Sequence, residues 1–253
     1  MIAAFESFAP HHKELRKRLV RCLLAVILTT AVAYLFIDRI VAFCLQPLFV
    51  AYPALQHMVY TKLTEAFISY LKLSVLAGIL LSFPVILYQV WMFVSPGLLE
   101  REKRTAVRIV LWATLLFAAG AVFSFFIVLP KTLAFFMSYA GPNLQPLPKI
   151  GQYLTFVARL VFALGVAFEI PFLMLMAGRA GLVTPGHFRR KRKYFYIAIV
   201  VLSFLLAAGD VTATVLLSFP LIGLYESGIV VGRVFPGKAS GRTEEQPDEE
   251  EQA

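Results

Sequence analysis

Polar positions along this chain collect between apolar runs, and the runs are long enough to cross a hydrocarbon core about 30 Å thick, which takes about 20 helical residues. They extend from Leu19 to Ile37, Ala66 to Val90, Ala106 to Leu129 and Tyr153 to Ala177. Beyond a basic stretch, a last apolar region runs from Tyr194 to Val231, interrupted only around Gly209 and Asp210. That interruption divides it into a hairpin of two spans, the first unusually short. The pattern predicts an all-α integral membrane protein with six transmembrane helices. Pro84, Pro171 and Pro220 fall inside spans, where each removes a backbone donor and bends its helix. Such bends survive in lipid when neighbouring helices satisfy the freed carbonyls, so the expected packing is a concave bundle.

Lys and Arg fix the expected orientation, because they accumulate on the side retained in the cytoplasm. One side holds Lys13, Arg16, Lys17, Arg18 and Arg21, then Arg101, Lys103, Arg104 and Arg108, then Arg179 with Arg189 to Lys193, and finally Arg233, Lys238 and Arg242. The other side holds only Arg39, Lys62, Lys131 and Lys149. Both termini are therefore expected inside. The outer loops, Asp38 to Thr64 and Pro130 to Gln152, are long enough for a structured cap.

Composition agrees with the bilayer as solvent: 59% of residues are hydrophobic and 15% charged, and the mean hydropathy is +0.77. The formal charge of +9 does not point to nucleic acid, because the cations sit in clusters between spans. Cys22 and Cys44 lie near opposite ends of the first helix, roughly 30 Å apart at 1.5 Å per residue, so no disulfide joins them. MIAAFESFAP lacks the layout of a cleavable signal peptide, and the first run is read as a retained span. His11, His12, His57 and His187 lack metal-ligand spacing, no nucleophile stands beside a base, and no glycine loop cradles phosphate. The expectation is a non-enzyme without cofactor or metal. From Gly237 the chain turns to GKASGRTEEQPDEEEQA, so residues 1–236 are read as the membrane domain and 237–253 as a disordered acidic tail.

Three ionisable residues interrupt the spans. Lys72 and Arg159 fall nearer the outer ends of their helices, within snorkelling reach of headgroups. Glu169 lies roughly 24 Å along its helix from Tyr153 and roughly 15 Å short of Arg179. A carboxyl group there implies a polar cavity, a partner, or a neutral hydrogen-bonded state.

Several segments together resemble the TatC family of twin-arginine translocase receptors, over nearly the whole chain. They are HHKELRKRL with His11, Glu14, Leu15, Arg16 and Leu19; FPVILYQVWMFVSPGLLEREKR with Pro84, Tyr88, Gln89, Trp91, Phe93, Pro96, Leu98, Glu102 and Arg104; FEIP around Glu169; Thr184 and Pro185; and FPLIGLYE with Tyr225 and Glu226. The resemblance implies a substrate, the signal peptide of a folded precursor, marked by two consecutive arginines ahead of an apolar stretch. It also implies transport driven by the proton-motive force and single-span TatA- and TatB-type partner subunits. Self-association and contact with membrane lipids complete the expected partners.

Glu14 and Glu102 are carboxylates set among cations at the inner face, suited to guanidinium through paired, charge-assisted hydrogen bonds. For Glu102 this role rests on the resemblance, since by itself it reads as a solvated loop charge paired with Arg101, Lys103 or Arg104. Phe93 and Trp91 either pack against the apolar part of the peptide or serve as belt aromatics. Two readings also stand for Arg16, positioning of Glu14 and contact with anionic lipid. The chain departs from the family pattern at the last turn, where Ala207, Ala208, Gly209 and Asp210 replace Thr-Pro-Pro-Asp and Thr214 replaces a longer Gln. Docking of partner subunits is then expected to rest on Asp210, Thr214, Tyr225 and Glu226 together with packing. A six-span secondary transporter or channel is the alternative, opposed by the lack of an internal repeat, of paired broken helices and of a continuous polar path.

Overall fold

The computed structural model describes residues 2–53, 58–60, 62, 64–94, 100–139, 147–179, 185–207 and 211–234, and these are almost wholly helical. The helices are α1 (Ile2–Leu35), α2 (Ile37–Ala51), α3 (Glu65–Val94), α4 (Glu100–Phe123), a π-helical turn (Ser124–Val128), α5 (Leu129–Met137), α6 (Ile150–Ala167), α7 (Glu169–Arg179), α8 (Pro185–Arg190), α9 (Arg192–Leu206) and α10 (Val211–Val234). Five stretches are long and apolar enough to cross a membrane: Glu14–Leu35, Glu65–Phe93, Val107–Met137, Ile150–Gly178 and Val211–Arg233. With 15 residues, α9 reaches only about 22 Å and forms the short first arm of the expected final hairpin. The chain is thus a six-span, all-helical membrane protein. Large side chains such as Leu19, Leu28 and Phe219 are exposed along the spans, as lipid solvation allows.

Helix α3 runs unbroken through Pro84, and α10 through Pro220. The fourth span does break, at Phe168 between α6 and α7, just before Pro171, whose ring nitrogen cannot donate to the helical ladder. The third span passes through a π-helical turn at Ser124–Val128, and α1 stops at Phe36 before α2 continues.

Contacts divide the chain into two compact units, Met1–Gly165 and Val166–Ala253. In the first, α3 packs extensively on α1 and also on α4. Thr29 Oγ1 donates to the Gly78 carbonyl at 2.7 Å. Phe83 stacks on Phe117 with centroids 3.5 Å apart, and Gly165 leaves room for the Phe117 ring. At the end of this unit opposite the α1 amino terminus, the described parts of both connecting segments pack together. Phe43 of α2 stacks on Phe125 at 4.5 Å, the Tyr153 hydroxyl donates to the Cys44 carbonyl at 2.7 Å, and Val59 pairs with Lys149 in a parallel β-bridge. These contacts are what a cap at this end would require, and residues 54–57, 61, 63 and 140–146 lie outside the described residues. In the second unit α10 packs against α7, α8 and α9. The tail 237–253 lies outside the described residues.

Candidate functional site

One stripe of α1 is turned inward. Among positions 14–33, Glu14, Arg18, Cys22, Ala25, Val26, Thr29, Thr30 and Ala33 are buried or half-buried, while every other position is exposed. Spacings of three and four place them on one helical face, and that face lies on α3. The Thr29–Gly78 bond sets the register of the two antiparallel helices. Glu14 precedes Thr29 by 15 residues and Phe93 follows Gly78 by 15, so both stand about 22 Å from the crossing, at the same end. Arg18 and Gln89 are likewise each 11 residues away, and Gln89 shares the buried face of α3 with Gly78 and Ser82.

Arg18 holds Glu14. Its Nε donates to Glu14 Oε1 at 3.1 Å, and its Nη2 approaches the same oxygen. The Arg18 side chain is 14% exposed and that of Glu14 41%. Arg16 is exposed and turned away, because positions two apart do not face each other on a helix. Arg18, a partner of Glu14, is thus one turn on. The sequence signal for it was the i, i+4 spacing, obscured by the surrounding run of cations.

Phe93 is half-buried near the end of α3. One turn earlier Gln89 is 9% exposed, and its Oε1, like Trp91 Nε1, has no hydrogen-bond partner among the described residues. Glu102 stands in the first turn of α4. Only residues 95–99 separate α3 from α4, which keeps its backbone at the same end as Phe93; its side chain lies outside the described residues, as do Pro96 and Leu98.

In the second unit Glu169 is 4% exposed and opens α7 directly after the break at Phe168. Helix α7 lies close to α10, since a Cβ on Gly228 would meet Met174 Sδ at 2.7 Å and Pro171 Cα at 3.1 Å. A carboxylate in a first helical turn is favoured by the helix dipole. Lys72 and Arg159 are exposed on their spans in the first unit. Among the described residues no group of three His, Cys, Asp or Glu is arranged to hold a metal.

The residues expected to dock partner subunits have contacts inside the second unit. Thr214 is buried, and its carbonyl accepts the Ser218 hydroxyl at 2.8 Å. Tyr225 is buried and donates to the Phe188 carbonyl at 2.8 Å. Glu226 accepts from Arg192 Nη2 at 2.7 Å and from the Tyr196 hydroxyl at 2.5 Å. Asp210 and Thr184 lie outside the described residues.

Comparison with known proteins matches residues 10–220 to the family model described as Sec-independent protein translocase protein (TatC). The Sec-independent protein translocase protein TatC of Desulforapulum autotrophicum is 37% identical over 238 residues, covering 94% of this chain and 88% of that one. Its counterpart in Escherichia coli K12 is 35% identical over 234 residues, covering 92% and 91%. A crystal structure described as the twin arginine translocase receptor TatC superposes with a TM-score of 0.81 at 34% identity, covering 88% of this chain and 98% of that one.

Proposed function

This chain belongs to the TatC family of Sec-independent protein translocase proteins, and we propose that it receives the twin-arginine signal peptides of folded precursors. Membership makes it a membrane subunit of the Tat protein-transport system, not an enzyme, and removes the transporter or channel alternative. Its membrane in this reading is the bacterial inner membrane, with both termini cytoplasmic, as the distribution of Lys and Arg supports.

One observation carries the receptor reading: Glu14 already engages a guanidinium, that of Arg18, and stays 41% exposed. A carboxylate with that geometry suits the planar fork of arginine better than the point charge of lysine. Glu102, at the same end of the bundle, supplies the second carboxylate, Arg16 offers a cation to anionic lipid beside it, and Phe93, level with Glu14, packs on the apolar stretch following the arginines. Glu169 supplies the buried polar group needed after docking. Lys72 and Arg159, exposed on apolar spans, contact lipid headgroups or neighbouring chains. TatA- and TatB-type subunits and further copies of this chain associate around the final hairpin, with Asp210, Thr214, Tyr225 and Glu226 at the docking region. The proton-motive force supplies the energy.

The test is binding of the protein in nanodiscs, at fixed salt, to a signal peptide with two arginines and to the same peptide with two lysines. Preference for arginine that disappears in Glu14→Gln, Glu102→Gln supports the reading; equal binding to both peptides, or binding indifferent to the double change, overturns it.

A further inference from the structure

We propose that Arg18 is a resident guanidinium occupying the Glu14 carboxylate, and that Gln89 accepts it when an incoming peptide arginine displaces it. The inference rests on Glu14 being part of the peptide site and adds a device that sets selectivity there.

Three observations support it. Arg18 directs both Nε and Nη2 to Glu14 Oε1 while remaining only 14% exposed. Gln89 Oε1 is a buried acceptor with no donor among the described residues. Arg18 and Gln89 stand at the same level on facing stripes of α1 and α3, each 11 residues from the Thr29–Gly78 crossing. A buried amide oxygen without a donor is unfavourable, and so is a part-buried guanidinium deprived of its carboxylate. Pairing the two relieves both at once.

Exchange of this kind discriminates between cations. Replacing the Arg18 guanidinium on Glu14 by a peptide guanidinium conserves the number and geometry of the hydrogen bonds, and Arg18 gains a new acceptor in Gln89. A lysine ammonium entering the same place loses the planar fork and must still displace Arg18. The resident arginine thereby raises the threshold against lysine and against solvent cations, while a true arginine pair meets little net opposition.

The experiment measures binding of fluorescent two-arginine and two-lysine signal peptides to the full chain in nanodiscs. Arg18→Ala is expected to tighten binding of the lysine peptide more than that of the arginine peptide, reducing the arginine-to-lysine preference about fivefold. Arg18→Lys, which keeps the stem and charge for folding, is expected to fall between. Gln89→Leu is expected to weaken arginine-peptide binding when Arg18 is present and to have no effect in the Arg18→Ala background. That dependence would not follow from a merely structural role for Gln89. The proposal is overturned if neither Arg18 variant alters the preference, or if Gln89→Leu acts equally in both backgrounds. Glu14→Gln serves as the control: if it leaves arginine-peptide binding unchanged, the receptor site itself is wrong; if it weakens binding while the Arg18 variants change nothing, only the exchange is wrong.

Discussion

Thr29 Oγ1 lies 2.7 Å from the carbonyl oxygen of Gly78, and the closeness of α1 and α3 at that point depends on glycine having no side chain. A Cβ at Gly78 would sit 2.7 Å from both the Cα and the N of Thr30. Those are backbone atoms, which cannot move aside as a flexible side chain can. Gly78→Ala is therefore expected to destabilise the first unit by about 1–3 kcal/mol, the usual effect of overpacking a tight contact. A lower thermal midpoint in detergent checks it. Because the same crossing sets the level of Glu14 against Phe93, signal-peptide binding should weaken at temperatures where the variant is still folded.

Burial pushes the Cys44 thiol in α2 up to about 11 from an ordinary 9.0. Its neutral form is the one the fold favours, so its contribution to stability is complete below about pH 9 and is lost as the pH rises towards 11. In a Cys22→Ser background, iodoacetamide at pH 8 should alkylate Cys44 about 100-fold more slowly than an unfolded thiol. Rapid modification in the folded protein would mean that the cap opens readily.

Much of this architecture was legible in the sequence because lipid demands long apolar stretches, and those stand out without periodicity. What remained hidden depended on tertiary contact. A helix that is apolar all round carries no mark of which face meets its neighbour, so the stripe through Glu14, Arg18 and Thr29 emerged only with α3 in place. The run of cations drew attention to Arg16, although helical spacing gives Arg18 to Glu14. Likewise Glu226 reads as an available carboxylate until α9 brings Arg192 and Tyr196 to it. The π-helical turn at Ser124–Val128 lies just before Pro130, which cannot donate to the helical ladder, but a proline at that place does not tell a π-turn from a bend or a break.

Tyr225 ties α10 to the backbone of α8 through the Phe188 carbonyl, immediately before the basic run Arg189 to Lys193. Tyr225→Phe leaves that carbonyl without its donor, an effect of about 1–2 kcal/mol. Glu226→Gln weakens a pair whose side chains are 36% and 33% exposed, worth at most about 1 kcal/mol after solvent screening. Trypsin should therefore cleave between residues 189 and 193 faster in Tyr225→Phe than in Glu226→Gln. The reverse order would show that the ion pair, not the tyrosine, secures this connection.

Glu169 is buried at 4% exposure and occupies the first turn of α7, where two effects act in the same direction against a cation. Burial in a span penalises Lys by about 2.5–3.5 kcal/mol near mid-membrane, and the positive end of the helix dipole repels it. Gln keeps the shape and hydrogen-bonding capacity, and Leu removes polarity without introducing charge. Glu169→Gln and Glu169→Leu should consequently accumulate as folded protein with thermal midpoints near the parent's, whereas Glu169→Lys should not. Export of a twin-arginine reporter separates structure from function among the folded variants. If a polar group is needed after docking, export falls further in Glu169→Leu than in Glu169→Gln, while peptide binding at Glu14 is retained in both. Equal export by the leucine variant and the parent would confine Glu169 to packing.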